Sequence, residues 1–300
     1  MLAPTFDYRR TLGNMNTQFW VVQAFNGVSY GALLFLIGSG LSLIFGVMRI
    51  VNLSHGAYFL WGGYIALSVI NLTGSWALSL PVAALAVALI GMAMERVFLR
   101  PLGFDPLRQV LLTVGFAFLF QQAALDIWGG NNMDINPPAE LTRSIVVGGI
   151  YFPLYRVFMI AMAVAIGIVL WLVMEKTRMG AAVRATVDDA QMARGVGIDT
   201  NLVSMSIFSL GAFLAALGGV IGGAFLGVYP GLDFEMLPLA FAVVIIGGMG
   251  SLGGAAIGAL AVGLADNFGK ALFPEVSYFT LYAPMVLILA IKPTGLFGRE

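Results

Sequence analysis

The 300-residue sequence contains no cysteine, a single histidine and few charges. Only 10% of its residues are Asp, Glu, Lys or Arg, and the fifteen acidic side chains balance the fifteen basic ones. The missing cysteine excludes structural disulfides and thiolate metal centres. The lone His55 has no companions with which to hold a metal, and a helix-end histidine bonded to a carbonyl is the simpler role. Zero net charge, with basic residues scattered over short loops, leaves no basic surface for nucleic acid. Soluble domains carry about 25% charged residues, so the shortage of charge excludes an ordinary water-soluble domain.

What is abundant is apolar: 60% hydrophobic residues, 38 glycines and a mean hydropathy of +0.94. Measured against a span of about 20 residues, apolar runs lie near 19–46, 53–73, 76–97, 110–128, 157–174, 202–228, 236–249, 252–266 and 278–292. Backbone polar groups in hydrocarbon need internal partners, so these runs are expected to be helices. The predicted fold is an all-α polytopic transmembrane bundle of eight or nine spans, a single membrane domain over 1–300. The first run starts near Phe19 and far exceeds a signal-peptide core of about 7–15 residues, so it is expected to stay. Trp20, Trp76, Trp128 and Tyr282, near span ends, read as interfacial anchors.

Loop charges orient the spans. Arg96, Arg100 and Arg108 lie between the third and fourth runs, and Lys176, Arg178, Arg184 and Arg194 between the fifth and sixth. By the positive-inside rule both loops are cytoplasmic. Loops 129–156 and 229–235 fit the opposite side, the latter with Asp233, Glu235 and no base. Lys292 and Arg299 put the end of the chain inside. The start has two readings: nine spans with Arg9 and Arg10 outside, or a segment after Arg49 that enters and returns, leaving eight spans and the start inside.

Two glycine-rich or polar breaks are candidates for a translocation pathway. Asn52, Ser54 and His55 stand beside a helix break after Arg49, and polar backbone at membrane depth is tolerated where it is buried in protein or lines a wet path. GGMGSLGG, residues 247–254, interrupts two short runs and offers Gly247, Gly248 and Gly250. Short, glycine-broken segments in corresponding halves point to a pathway, although a plain tight turn would read the same way.

Other patterns are weaker than they look. Gly248 to Gly253 matches G-x-G-x-x-G, but lies between apolar runs and lacks the strand and βαβ unit a dinucleotide site needs. GLADNFGK, 263–270, is one residue too long for a phosphate loop, and Ala271 replaces the hydroxyl residue that would hold magnesium. No cofactor, metal or nucleotide site is expected in this chain. The pairs Gly27/Gly31, Gly218/Gly222, Gly219/Gly223, Gly223/Gly227 and Gly254/Gly258 describe close helix packing and subunit contact. An ion-coupled carrier needs ionisable groups facing its cavity, and no mid-span carboxylate is evident: Glu95, Asp126 and Asp266 all fall near run ends.

The polar island is 175–200, EKTRMGAAVRATVDDAQMARGVGIDT, with four basic and four acidic residues between apolar runs. Ala182–Gly195 has helical composition, with Gly195 and Gly197 as a turn. A short amphipathic helix on the cytoplasmic face suits helix-in-groove docking.

The blocks GLSLIFGVMRIVNLSHGAYFLWGGY, ERVFLRPL, TRMGAAVRATVDDAQMARGVGID, GGMGSLGGAAIGAL and KPTGLFGR, between Phe25 and Arg299, resemble the branched-chain amino acid ABC permease family, the LIV type. Asn-Leu-Ser-His-Gly stands where that family commonly has Asn-Phe-Ala-His-Gly. Asp189 to Gly195 is similar to the pattern Glu-Ala-Ala, three residues, Gly, which marks the coupling helix of ABC importers; Asp replaces Glu and Gln191 replaces the second Ala. The resemblance implies a multi-pass permease of the bacterial inner membrane working by alternating access. Its partners would be two ATP-binding subunits, a second related permease, a periplasmic substrate-binding protein and the lipid bilayer. Arg184, Asp188, Asp189, Ala190, Gly195 and Gly197 become the candidate ATPase contact. No catalytic residue is implied. Branched-chain amino acids, urea, short amides and aromatic acids are the solutes such systems take; an ion-coupled carrier or a channel is the competing class.

Overall fold

The computed structural model describes residues 17–103, 105–292 and 294–298. Eleven α-helices and one β-hairpin follow in order: α1 Thr17–Met48, α2 His55–Thr73, α3 Trp76–Met94, α4 Pro106–Trp128, β1 Ser144–Val147, β2 Ile150–Pro153, α5 Leu154–Lys176, α6 Arg178–Asp188, α7 Ala190–Gly195, α8 Thr200–Leu226, α9 Leu232–Gly247, α10 Leu252–Leu272 and α11 Ser277–Ile291. A π turn and a 3-10 turn carry α3 on to Leu102. Each of the nine apolar runs became a helix. Six helices, α1, α3 to α5, α8 and α10, are long and apolar enough to cross a membrane. Of the other three, α9 and α11 have 16 and 15 residues, and α2 is long enough at 19 but opens with a polar turn.

Two helices form the centre. In their most apolar windows 83% of α8 and 72% of α1 is buried, against 22% of α4 and α5, which face outward. Helices apolar all round belong inside a bundle, and here glycine lets them close up. A Cβ on Gly40 would stand 2.6 Å from the carbonyl oxygen of Gly211, and one on Gly31 2.8 Å from that of Ala259. Lipid offers no hydrophobic drive for helix association, so small residues at the crossing supply the contact. The glycine pairs expected at packing faces thus serve contacts within the chain.

Helix directions follow from which residues meet. Gly27, Gly31 and Gly46 lie against Gly263, Ala259 and Gly250 in turn, so α1 and α10 are antiparallel. Tyr30 approaches Phe225 while Gly40 meets Gly211, so α1 and α8 are antiparallel too. Arg100 donates to the Asn201 carbonyl at 3.3 Å, at the start of α8. Tyr155, which meets the Trp76 ring, donates to the Ile221 carbonyl at 2.6 Å, near its end. α3 therefore runs with α1. One end of the bundle, called here the basic end, gathers Arg49, Arg96, Arg100, Arg108 and Lys176; α1 starts at the opposite, far end. Of the two readings for the start of the chain this favours nine helices, with Thr17 away from the basic end; Arg9 and Arg10 lie outside the described residues.

Trp76 and Trp128 depart from the anchor role. Trp76 is buried against Tyr155 and Phe158, while Trp128 stacks on Tyr64 at 5.0 Å and donates to Ser68 at 2.8 Å.

Candidate functional site

After Met48 the chain turns at Arg49, whose φ of 54° is the left-handed region that a residue with a Cβ enters at a cost. It then climbs back without helix. Leu53 N donates to Thr113 at 3.2 Å, and Asn52 Oδ1 accepts from the backbone N and the hydroxyl of Ser54 at 3.1 and 2.7 Å. That short polar turn starts α2 at His55, whose Nε2 lies 2.9 Å from the Ile37 carbonyl. Ile37 sits midway along α1 between Asn26, which bonds Arg156 at the far end, and Met48, about 16 Å from each at 1.5 Å per residue. α2 therefore begins at mid-depth. Asn52, Ser54 and His55 are all fully buried, and Asn52 Nδ2 and His55 Nδ1 have no hydrogen-bond partner. His55 takes the helix-end, carbonyl-bonded role expected of it.

α9 begins at the same depth. From the far end of α8 the chain turns at Gly231, φ 101°, and the carbonyl of Asp233 packs directly on the Cα of Gly56. The first turns of α2 and α9 thus meet inside the bundle. This corrects two sequence expectations. Asp233 is not on an outer loop but 3% exposed in the first turn of α9, so the bundle does contain a carboxylate at mid-depth. The non-helical segment that reaches mid-depth opposite 49–54 is 227–231, leading into α9, whereas the glycine-rich 247–254 is a tight turn at the basic end.

Within that turn Gly248 and Gly250 have φ of 102° and 81°, and Ser251 caps α10 by accepting from Gly254 N at 3.0 Å. Gly247 packs on Gly254, Gly248 on Gly298 and Gly250 on Gly46. Gly46 lies at the basic end of α1, about 14 Å along the helix from Ile37. The structure therefore does not bring Gly247, Gly248 and Gly250 together with Asn52, Ser54 and His55.

The polar island is two helices instead of one. Thr177 caps α6 by accepting from Gly180 N at 3.1 Å, and α6 stops at Asp189, whose extended backbone breaks the helix expected over Ala182–Gly195. The Asp189 carboxylate accepts from Gln191 N and Met192 N at 2.8 and 2.9 Å, which starts α7; Asp189 is in place as an N-cap. Arg184 bonds the Met174 carbonyl and lies 3.8 Å from Glu175, so it ties α6 to α5. Val183 joins Leu43, Leu170, Met174, Val203, Ile207 and Leu214 in a small apolar cluster that seats α6 on α1, α5 and α8. Asp188, Asp189, Gly195 and Gly197 are exposed and Ala190 is half-buried. Met192 and Val196, 69% and 77% exposed, stand beside them. Sequence reasoning passed over these two, although apolar residues on an otherwise polar stretch were the signal.

At the far end an open hollow of about 440 Å³ lies between Ile70, Trp76, Asn136 and Pro138. Among the described residues no cluster of His, Asp or Glu could hold a metal.

The chain is a membrane-protein helix bundle in which α2 and α9 both start at mid-depth and a polar helix pair docks on the basic end, an architecture suited to a membrane transport subunit. The chain belongs to the permease family described as branched-chain amino acid transport system, permease component, whose model matches residues 23–289. It is 32% identical over 305 residues to the high-affinity branched-chain amino acid transport permease LivH of Escherichia coli K12, covering 95% of this chain and 98% of that one. It is 30% identical to BraD of Pseudomonas aeruginosa, a permease of the same description, covering 93% and 96%. The autoinducer 2 import permease LsrC of Salmonella typhi is 27% identical, covering 83% and 71%. No solved structure matches. The chain is therefore a permease component of a branched-chain amino acid type ABC transporter family, a transport subunit and not an enzyme.

Proposed function

We propose that this chain is the membrane-spanning half of an ATP-driven importer for branched-chain amino acids or a related small solute, in a bacterial inner membrane. Residues 1–300 form one membrane domain, with 175–200 as its coupling loop. It pairs with a second, related permease, docks on two ATP-binding subunits and receives solute from a periplasmic binding protein. Alternating access moves the solute as closure of the ATPases shifts α6 and α7. The observation that carries this reading is the seating of α6: one face packs through Val183 on α1, α5 and α8, while the adjoining α7 presents Met192, Gly195 and Val196 outward. A push on α7 is passed to α6 and reaches both central helices through packed side chains, which transmit displacement because they resist compression.

The pathway residues proposed are Asn52, Ser54 and His55, at the mid-depth start of α2; Gly247, Gly248 and Gly250 form the basic-end hinge between α9 and α10. The test is co-purification with an ATP-binding subunit, followed by uptake in proteoliposomes supplied with binding protein and ATP. ATP-dependent accumulation is expected. Uptake that proceeds equally without ATP would overturn the reading.

A further inference from the structure

Among the described residues three carboxylates are buried: Glu95, Asp233 and Asp266. Two have a cation in hand, Arg100 at 3.1 Å from Glu95 and Lys270 at 2.8 Å from Asp266. Asp233 has none. The amides of Gly231, Asp233 and Phe234 approach its carboxyl, yet Oδ1 has no hydrogen-bond partner. On α2 the hydroxyl of Tyr64, which is fully buried and within electrostatic reach of Asp233, also lacks a partner. Stacking on Trp128 fixes the Tyr64 ring. Two unsatisfied polar groups thus lie in one electrostatic neighbourhood, Asp233 at the meeting of α2 and α9 and Tyr64 further along α2.

A buried carboxylate without a counter-charge is costly, and ionisable groups at membrane depth mark substrate or ion paths. What is missing is a cation with several donors. A primary ammonium supplies one positive charge and three N–H groups, enough for Asp233 Oδ1 and the Tyr64 oxygen together. A carboxylate or phosphate would be repelled. Phe234, next in the chain, is 40% exposed beside the Phe118 ring of α4 at 5.6 Å, so a side chain there is open to a reagent.

We infer that Asp233, with the Tyr64 hydroxyl, is the contact point for the ammonium group of the transported amino acid. This rests on the importer reading above, and the experiment separates the two. The chain has no cysteine, so Phe234→Cys places a single thiol on it, one residue from the site. The assembled transporter, unsubstituted and with this variant, is reconstituted, and ATP-dependent leucine uptake is measured first; its absence from both would overturn the reading of this importer as one for branched-chain amino acids. Maleimide labelling of the thiol is then followed with leucine and with its 2-hydroxy analogue, which has a hydroxyl where leucine has the ammonium.

Leucine should slow labelling and the analogue should not. Asp233→Asn should weaken the protection about tenfold, the loss of one charge-assisted contact. Tyr64→Phe, which keeps the ring on Trp128, should weaken it less, and it serves as the readout if Asp233→Asn does not insert. Uptake without protection, equal protection by both compounds, or protection unchanged in both variants would overturn the site. Leucine uptake driven by a proton gradient without ATP and lost in Asp233→Asn would assign the carboxylate to a proton and overturn it equally.

Discussion

His55 donates from Nε2 to the carbonyl oxygen of Ile37 at 2.9 Å, pinning the first turn of α2 to α1 about 16 Å before its Met48 end. The contact replaces the helix that the chain does not form between Arg49 and Ser54. It also sets the depth at which Gly56 receives α9.

Removing the imidazole should loosen this joint. His55→Ala leaves a void and an unpaired carbonyl between the buried Ile37 and Tyr58, and a loss of about 2 kcal/mol is expected. Thermal unfolding in detergent measures it, with Leu72→Ala, at an exposed position near the other end of α2, expected to shift the midpoint much less.

The contact between α8 and α2 tolerates no side chain at Gly219, where a Cβ would collide with the Phe59 carbonyl. Overpacking a fitted contact costs about 1–3 kcal/mol. Gly219→Val should lower the unfolding midpoint and the yield of inserted protein, while Gly115→Val, at a position facing open space, should do neither.

Glu95 is the buried partner of a half-exposed cation, Arg100, at 3.1 Å. Arg100→Met should destabilise by about 3 kcal/mol, because it strands a buried carboxylate. Adding Glu95→Gln should recover part of that loss, since the stranded charge is gone. A double-mutant cycle on thermal stability reads the coupling, and additive losses would contradict it.

At the proposed coupling loop, variants can separate folding from docking. Asp189→Ala removes an N-cap and should cost about 1 kcal/mol in stability. Gly195→Trp projects into open space and should leave stability unchanged while lowering ATP-dependent uptake, with ATP hydrolysis no longer matched to transport. Normal uptake by Gly195→Trp would exclude this surface as the docking site.

Composition and periodicity alone determined the membrane class, the nine helices and the position of the polar loop, because the bilayer leaves an apolar run no alternative to helix. His55 as a carbonyl-bonded helix-end residue was legible for the same reason: a lone imidazole beside a break has few other partners. The break at Asp189 was harder to see, since Asp is tolerated both in a helix and at its start. Only the tertiary structure decided which breaks face each other. Residues 229–235 look like a short polar loop, and 247–254 looks like the glycine-broken counterpart of 49–54, but depth is a property of packing against α1 and α8 and has no local signal. Asp233 is therefore a loop carboxylate in the sequence and a buried one at mid-depth in the fold. Its carbonyl can pack on Gly56 because that glycine, far away in the chain, has no side chain to keep it out.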